Sequence, residues 1–176
     1  MEFFILVLIG RMELKSIYAF KEEARLQPGG IRSALKKLVD GKLVTRADEA
    51  RRRRRDMALT ESGVDALATK WMNCLLEGGE AESVLRIAFV ALEMAGPDAA
   101  ARYLRRVGES RLEKAEEMGY ESMHLERSQK GPLSSYAWMR ASLDAHRRRA
   151  EGEAFLSMSR SIEERIKSSE RQEANS

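Results

Sequence analysis

The sequence contains little proline, few aromatic residues, a single cysteine and no long apolar run. Only three residues are proline and 6% are aromatic, which favours a mostly helical chain with few β-turns. Cys74 is the one cysteine, so no internal disulfide can form, and its apolar neighbours indicate a buried structural thiol. The opening apolar run, residues 3–9, is far shorter than the roughly 20 residues that cross a bilayer. These absences predict a soluble cytoplasmic protein without a membrane anchor.

The residue patterns of catalysis and metal binding are also missing. His124 and His146 have no second histidine or cysteine at ligand spacing. Ser62 lies in no nucleophile elbow, and no glycine-rich phosphate loop is present. The sequence therefore predicts no metal, no cofactor and no enzymatic activity.

Charge, in contrast, is abundant and unevenly placed. Charged residues make up 34% of the chain, and the net charge is only +3. The cations concentrate in one stretch that holds Lys36, Lys37, Lys42 and Arg46 and ends in an unbroken run of five arginines, Arg51, Arg52, Arg53, Arg54 and Arg55. Clustered cations are the electrostatic signature of nucleic-acid binding, although an arginine run by itself is also typical of a solvated loop.

The residues around this stretch predict helices followed by a hairpin. Residues 2–11 form a first helix that is apolar on nearly all sides, and residues 13–25 form a second. The second helix is expected to bury Leu14, Ile17, Tyr18 and Leu26. After Pro28 and two glycines, a third helix runs from Gly30 to Asp40 and ends at Gly41. Its inner stripe is predicted to be Ile31, Ala34, Leu35 and Leu38.

Two short strands follow the third helix, at residues 43–46 and 57–59, with the arginines at the tip between them. Thr60 is placed to cap the next helix. That helix is expected to bury Val64, Leu67, Ala68, Trp71, Met72 and Leu75. The glycine pair at residues 78–79 marks the predicted boundary between a first domain, residues 1–78, and a second, residues 79–176.

The second domain carries only helical patterns. One helix is predicted to end near Ala95, and another to run over residues 97–118. Residues 119–131 are polar and are interpreted as a loop. Pro132 begins a further helix that Gly152 is expected to break or bend, and the tail after Lys167 is expected to fray.

A helix beside a basic hairpin is the arrangement of a winged helix-turn-helix, in which the helix enters the major groove of duplex DNA. We therefore expect the third helix to read base edges and the arginines of the wing to contact the backbone or the minor groove. The predicted DNA-binding residues are Gln27, Gly30, Arg32, Ser33, Lys36, Lys37, Arg51, Arg52, Arg53, Arg54 and Arg55.

Residues 3–76 resemble the PadR family of bacterial transcriptional regulators. The matching stretches are LQPGGIRSALKKLVDGKLV, the arginine run and LTESG. Three positions depart from the family pattern. Arg32 and Met57 replace tyrosines, and Lys42 replaces a glycine, so base preferences do not carry over.

The resemblance implies a mainly α fold with a small two-stranded β-wing, in which a winged helix-turn-helix domain precedes an α-helical C-terminal domain that builds a homodimer. It also implies a repressor. Two other readings stay open, a winged-helix module that binds an acidic protein partner and a MarR-like regulator that senses a small-molecule effector. Trp71 and Trp138 could line such an effector cavity or pack in the core.

Overall fold

The computed structural model describes residues 1–46, 56–76, 79–127 and 132–174. They divide into two compact units, Met1–Gly96 and Pro97–Ser176. The fold is mainly α, with one two-stranded antiparallel sheet in the described part of the chain, which confirms the predicted fold class. In chain order the elements are α1 (Glu2–Gly10), α2 (Ile17–Glu22), α3 (Pro28–Asp40), β1 (Val44–Arg46), β2 (Met57–Leu59), α4 (Glu61–Lys70), a 3₁₀ helix (Trp71–Leu76), α5 (Ala81–Ala95), α6 (Pro97–Arg127) and α7 (Pro132–Glu173).

Helix α1 is the centre of the first unit. Residues 5–9 are buried in an unbroken row, so this helix is covered on every side, as its composition predicts. It packs against α3, α4, α5 and β2. The rings of Phe4 and Phe89 meet edge to face at 5.4 Å between centroids. Because α5 packs on α1, the first compact unit continues to Gly96, beyond the boundary expected at residue 78.

Helix α2 is shorter than predicted. The residue Glu13 adopts a positive φ of 53°, which a right-handed helix does not contain, and the helix begins only after Ser16. The Ser16 hydroxyl caps it by accepting from the N–H of Ala19 at 3.1 Å. In this frame Phe20 is buried, whereas Tyr18 is 71% exposed and Ile17 also faces solvent. The predicted burial of Ile17 and Tyr18 was therefore wrong.

The sheet pairs Val44 with Leu59 and Arg46 with Met57. Val44 and Met57 are both buried, so the inner face of the sheet lies against the helices. The N–H of Met57 donates to the carbonyl of Lys15 at 2.9 Å, which ties the second strand to the turn before α2. The first strand begins at Val44, one residue later than predicted, and the second has the predicted bounds.

Helix α4 is capped by Thr60 as predicted, because its Oγ1 accepts from the N–H of Gly63 at 3.0 Å. The predicted inner stripe, however, was wrong at Val64, which is 54% exposed, and at Ala68 and Met72, which also face solvent. The buried positions are Gly63, Ala66 and Leu67, since the small residues let α4 lie close to the start of β1. From Trp71 the chain tightens into the 3₁₀ helix, which changes the periodicity.

The second unit is a hairpin of α6 and α7, which run antiparallel. The predicted loop at residues 119–131 was wrong over 119–127, because α6 continues to Arg127. The predicted break at Gly152 was also wrong, since α7 is continuous and Gly152 is buried within it. Helix α7 extends to Glu173, so the tail does not fray at Lys167.

Close backbone contact explains the glycine in α7. A β-carbon at Gly152 would lie 2.9 Å from the carbonyl oxygen of Gly108, so the two glycines let the helices touch. Buried polar contacts add to this packing. Arg111 pairs with Glu151, and the Ser159 hydroxyl donates to the carbonyl of Ala101 at 2.9 Å.

Candidate nucleic-acid interface

Helix α3 has one fully buried face. Ile31, Ala34, Leu35 and Leu38 are each at most 2% exposed, which confirms the predicted inner stripe. The helix begins at Pro28, slightly earlier than the predicted Gly30, with Gln27 in the N-cap position. Because these four side chains fix the rotation of α3, the side chains between them have to point away from the first unit.

The outer face of α3 carries the predicted cations. Arg32, Ser33 and Lys36 are all exposed, and Arg32 and Lys36 are one helical turn apart. Asp40 is exposed at the end of the helix and adds one negative charge there. We call the surface formed by Arg32, Ser33 and Lys36 the α3 outer face.

The N-terminal end of α3 is open to solvent. Gln27 is exposed and its side chain makes no capping hydrogen bond, while Pro28 has no N–H to satisfy. The amides of the first helical turn have no acceptor within the helix, and they are natural donors to a phosphate oxygen. Gly29 is exposed, and Gly30 is half-buried with the Met1 side chain nearby. Of the two predicted residues at this end, Gln27 faces solvent more fully than Gly30.

The predicted DNA-binding residue Lys37 is engaged within the chain. Its Nζ lies 2.9 Å from Oε1 of Glu2 in the first turn of α1. The hydrogen bond from Lys37 holds the pKa of the Glu2 carboxyl below its ordinary value of 4.5, against a smaller opposing effect of burial. Glu2 was not predicted as a site residue, because nothing in a sequence pattern reveals an ion pair between distant helices.

The turn between α3 and the first strand contains a strained residue. Lys42 adopts φ of 55°, the left-handed conformation that favours glycine. Its carbonyl accepts a hydrogen bond of 2.6 Å from the hydroxyl of Thr60, so the entry and exit of the hairpin are joined. The predicted wing residues Arg51, Arg52, Arg53, Arg54 and Arg55 lie outside the described residues.

The two tryptophans belong to different compact units. Trp71 is half-buried in the 3₁₀ helix of the first unit. Trp138 lines a groove of about 290 Å³ between α6 and α7. The groove is walled by Ser122, Met123, Glu126, Ser142, His146 and Arg149, with alanine and glycine between them. The Nδ1–H of His146 donates to the carbonyl of Ser142 at 2.7 Å.

Two further properties concern the part of the chain that the structure describes. Over residues 1–46, 56–76, 79–127 and 132–174, histidine, cysteine and carboxylate side chains form no group of three or more that could hold a metal ion. Within those same ranges, every helix is too short or too polar to cross a membrane.

Comparisons with known proteins give a likeness of structure but none of sequence family. No family model matches the chain, and no curated protein matches it. Among solved structures, the chain is similar to the crystal structure of Bacillus subtilis PadR in complex with operator DNA. The two are 21% identical, and the match covers 90% of this chain and 98% of that one. The TM-score is 0.32, a value at which the likeness transfers no property of that protein to this chain.

Proposed function

We propose that this protein is a DNA-binding transcriptional regulator of the PadR-like kind, which reads duplex DNA with α3. The observation that carries the proposal is the α3 outer face. Arg32, Ser33 and Lys36 are exposed on a helix whose opposite side is buried, and a two-stranded sheet follows it directly. A rigid helix that presents cations and a hydroxyl outward fits the major groove.

The charge and shape of each side chain indicate which part of the DNA it contacts. Lys36 is a compact positive charge suited to a phosphate, whereas Arg32 has the planar fork that pairs with guanine. Gln27, at the open end of the same helix, has the amide group that pairs with adenine. The helix end itself offers backbone N–H groups to a phosphate.

The experiment is a fluorescence-anisotropy titration of the full chain with the DNA upstream of its own gene, over a series of salt concentrations. Affinity is expected to fall steeply with salt, because bound phosphates release counterions. The variant Arg32→Ala with Lys36→Ala should weaken binding tenfold or more. Lys70→Ala is the matched control, since Lys70 is an exposed cation of the same unit on α4. Equal binding by both variants would remove α3 from the proposal.

The arginine run has a separate experiment. Arg53→Ala with Arg54→Ala should weaken binding across all DNA sequences. It should also reduce the slope of log affinity against log salt concentration by about one for each lost phosphate contact. Unchanged affinity and salt dependence would show that the wing does not touch DNA. A mobility-shift assay that detects no DNA binding at low salt would favour the alternative, a winged-helix module for an acidic protein partner.

The second unit supports assembly into a homodimer. Tyr136, Met139 and Leu143 recur on α7 at helical spacing, and they are 61%, 53% and 66% exposed. Large apolar side chains in such a stripe are typical of a surface that a partner covers. A two-fold dimer would present two α3 helices to two half-sites about 34–36 Å apart.

The oligomeric state is measured by sedimentation velocity of the full chain. The parent should sediment as a dimer, and Met139→Glu with Leu143→Glu should sediment as a monomer. Ala154→Glu is the control, because Ala154 is an exposed small residue of the same helix. A dimer that survives the double substitution would place the interface elsewhere.

Regulation by a small-molecule effector is the finer form of this proposal, and the groove beside Trp138 supports it. A thermal-shift screen would identify compounds that raise the melting temperature. A genuine groove ligand should lose its shift in Trp138→Ala and keep it in Trp71→Ala. Repression and a cytoplasmic location remain predictions from the sequence.

A further inference from the structure

The first turn of α1 lies along one edge of α3. The Met1 Cε is 3.6 Å from the position that a β-carbon at Gly30 would occupy, and the Glu2 carboxylate is 2.9 Å from the Lys37 ammonium. Gly30 and Lys37 are two helical turns apart on the same side of α3. One edge of the candidate DNA-binding helix therefore carries an anion that another helix supplies.

We propose that Glu2 is the internal counter-ion of Lys37. A DNA phosphate has to displace the Glu2 carboxylate before Lys37 contributes to DNA binding. The inference rests on the proposed function and names a residue that restrains it. An ammonium that already has a carboxylate partner gains less from a phosphate than a free one, and the carboxylate repels the approaching phosphates. Glu2 thus lowers affinity for DNA in general and leaves discrimination to the α3 outer face.

Charge and exposure on both sides of the ion pair agree with such an exchange. The Lys37 side chain is 69% exposed and that of Glu2 is 38% exposed, so water and phosphates reach both groups. The Glu2 carboxyl is charged at neutral pH as an ordinary carboxyl is, and the hydrogen bond from Lys37 lowers its pKa further. An exposed ion pair of this kind is weak, so a DNA phosphate, which is also an anion with oxygen acceptors, can replace the Glu2 carboxylate.

The test is a double-mutant cycle on DNA affinity at low salt, with the full chain, Glu2→Gln, Lys37→Gln and both substitutions together. Glu2→Gln should tighten binding about two- to fivefold, the range that loss of one exposed ion pair allows. It should also steepen the slope of log affinity against log salt concentration by about one, the amount expected for one additional phosphate contact. In the Lys37→Gln background the same substitution should change affinity much less, because the released lysine is absent.

Glu22→Gln is the matched control, since it removes a carboxylate that pairs with Lys21 at 3.3 Å on α2 of the same unit. That variant should not show coupling to Lys37. Glu2→Gln with unchanged affinity, or with an equal gain in the presence and absence of Lys37, would overturn the inference.

The variant that combines Arg32→Ala with Lys36→Ala distinguishes failure of the Glu2 counter-ion from failure of the proposed function. If that variant loses affinity and the double-mutant cycle shows no coupling between Glu2 and Lys37, the counter-ion proposal is refuted and the proposed function is kept. Unchanged affinity in that variant refutes the proposed role of α3, whatever the cycle shows.

Discussion

The α-carbon of Gly63 faces the backbone carbonyl of Leu43. A β-carbon at residue 63 would lie 3.0 Å from the carbonyl carbon of Leu43 and closer still to its oxygen. The same carbonyl accepts a hydrogen bond of 3.1 Å from the N–H of Thr60. The first turn of α4 therefore rests directly on the chain that enters β1, and this contact holds the base of the hairpin beside α3.

The first prediction follows from that contact. Gly63→Ala should lower the free energy of unfolding of the first unit by about 3 kcal/mol or more, because backbone atoms cannot move aside for the new methyl group as a side chain does. Trp71 fluorescence in a Trp138→Phe background reports the unit in denaturant. Ser62→Ala, at the neighbouring exposed position, should cost little. Equal stability of the two variants would contradict the close contact.

The second prediction concerns the left-handed residue Lys42. Lys42→Gly should be more stable than Lys42→Ala by about 1 kcal/mol, since only glycine adopts positive φ without a steric penalty. Both variants lose the same charge, so their difference isolates the β-carbon. The measurement is urea denaturation followed by Trp71 fluorescence in the Trp138→Phe background. A glycine variant that is no more stable than the alanine variant would exclude backbone strain at this position.

The third prediction compares two glycines of the second unit. Gly152→Ala should destabilise the hairpin by about 1–3 kcal/mol, because the new methyl group meets the carbonyl of Gly108. Gly119→Ala should stabilise it by about 0.5–1 kcal/mol, since Gly119 is helical and its β-carbon would meet no described atom within 4 Å beyond its chain neighbours and the adjacent backbone of α6. Thermal unfolding followed by Trp138 fluorescence, with Trp71→Phe as the parent, measures both. The opposite order of melting temperatures would show that α6 and α7 are not packed at Gly108.

The fourth prediction is a dependence on pH. Lys37 lowers the pKa of Glu2 in the folded chain below its ordinary value of 4.5. The stabilisation from this pair is therefore fully present above about pH 4.5 and is lost as the pH falls through the lowered value. The acid side of the curve of stability against pH should be flatter in Glu2→Gln than in the parent. Lys37→Gln should flatten it to a smaller extent, because a backbone hydrogen bond and the N-terminal ammonium also lower the pKa of Glu2. Two unaltered curves would exclude the pair.

Local chemistry made much of the fold predictable. The apolar stripe of α3, the Thr60 cap and the bounds of β2 each depend on a residue and its near neighbours, and each was predicted from residue type and spacing. The predictions failed where local signals competed with packing. Glycine and polar residues between 119 and 127 read as a loop, yet the contacts with α7 keep α6 helical through them.

The candidate site divides in the same way. By itself, the sequence determined that α3 is amphipathic and turns Arg32, Ser33 and Lys36 outward, because a helical period of 3.6 fixes which side chains share a face. Only the tertiary structure decided that Lys37 is held by Glu2 and that Gly152 is a contact point within α7. Each of these depends on distances between segments far apart in the chain, which packing sets and residue spacing does not encode.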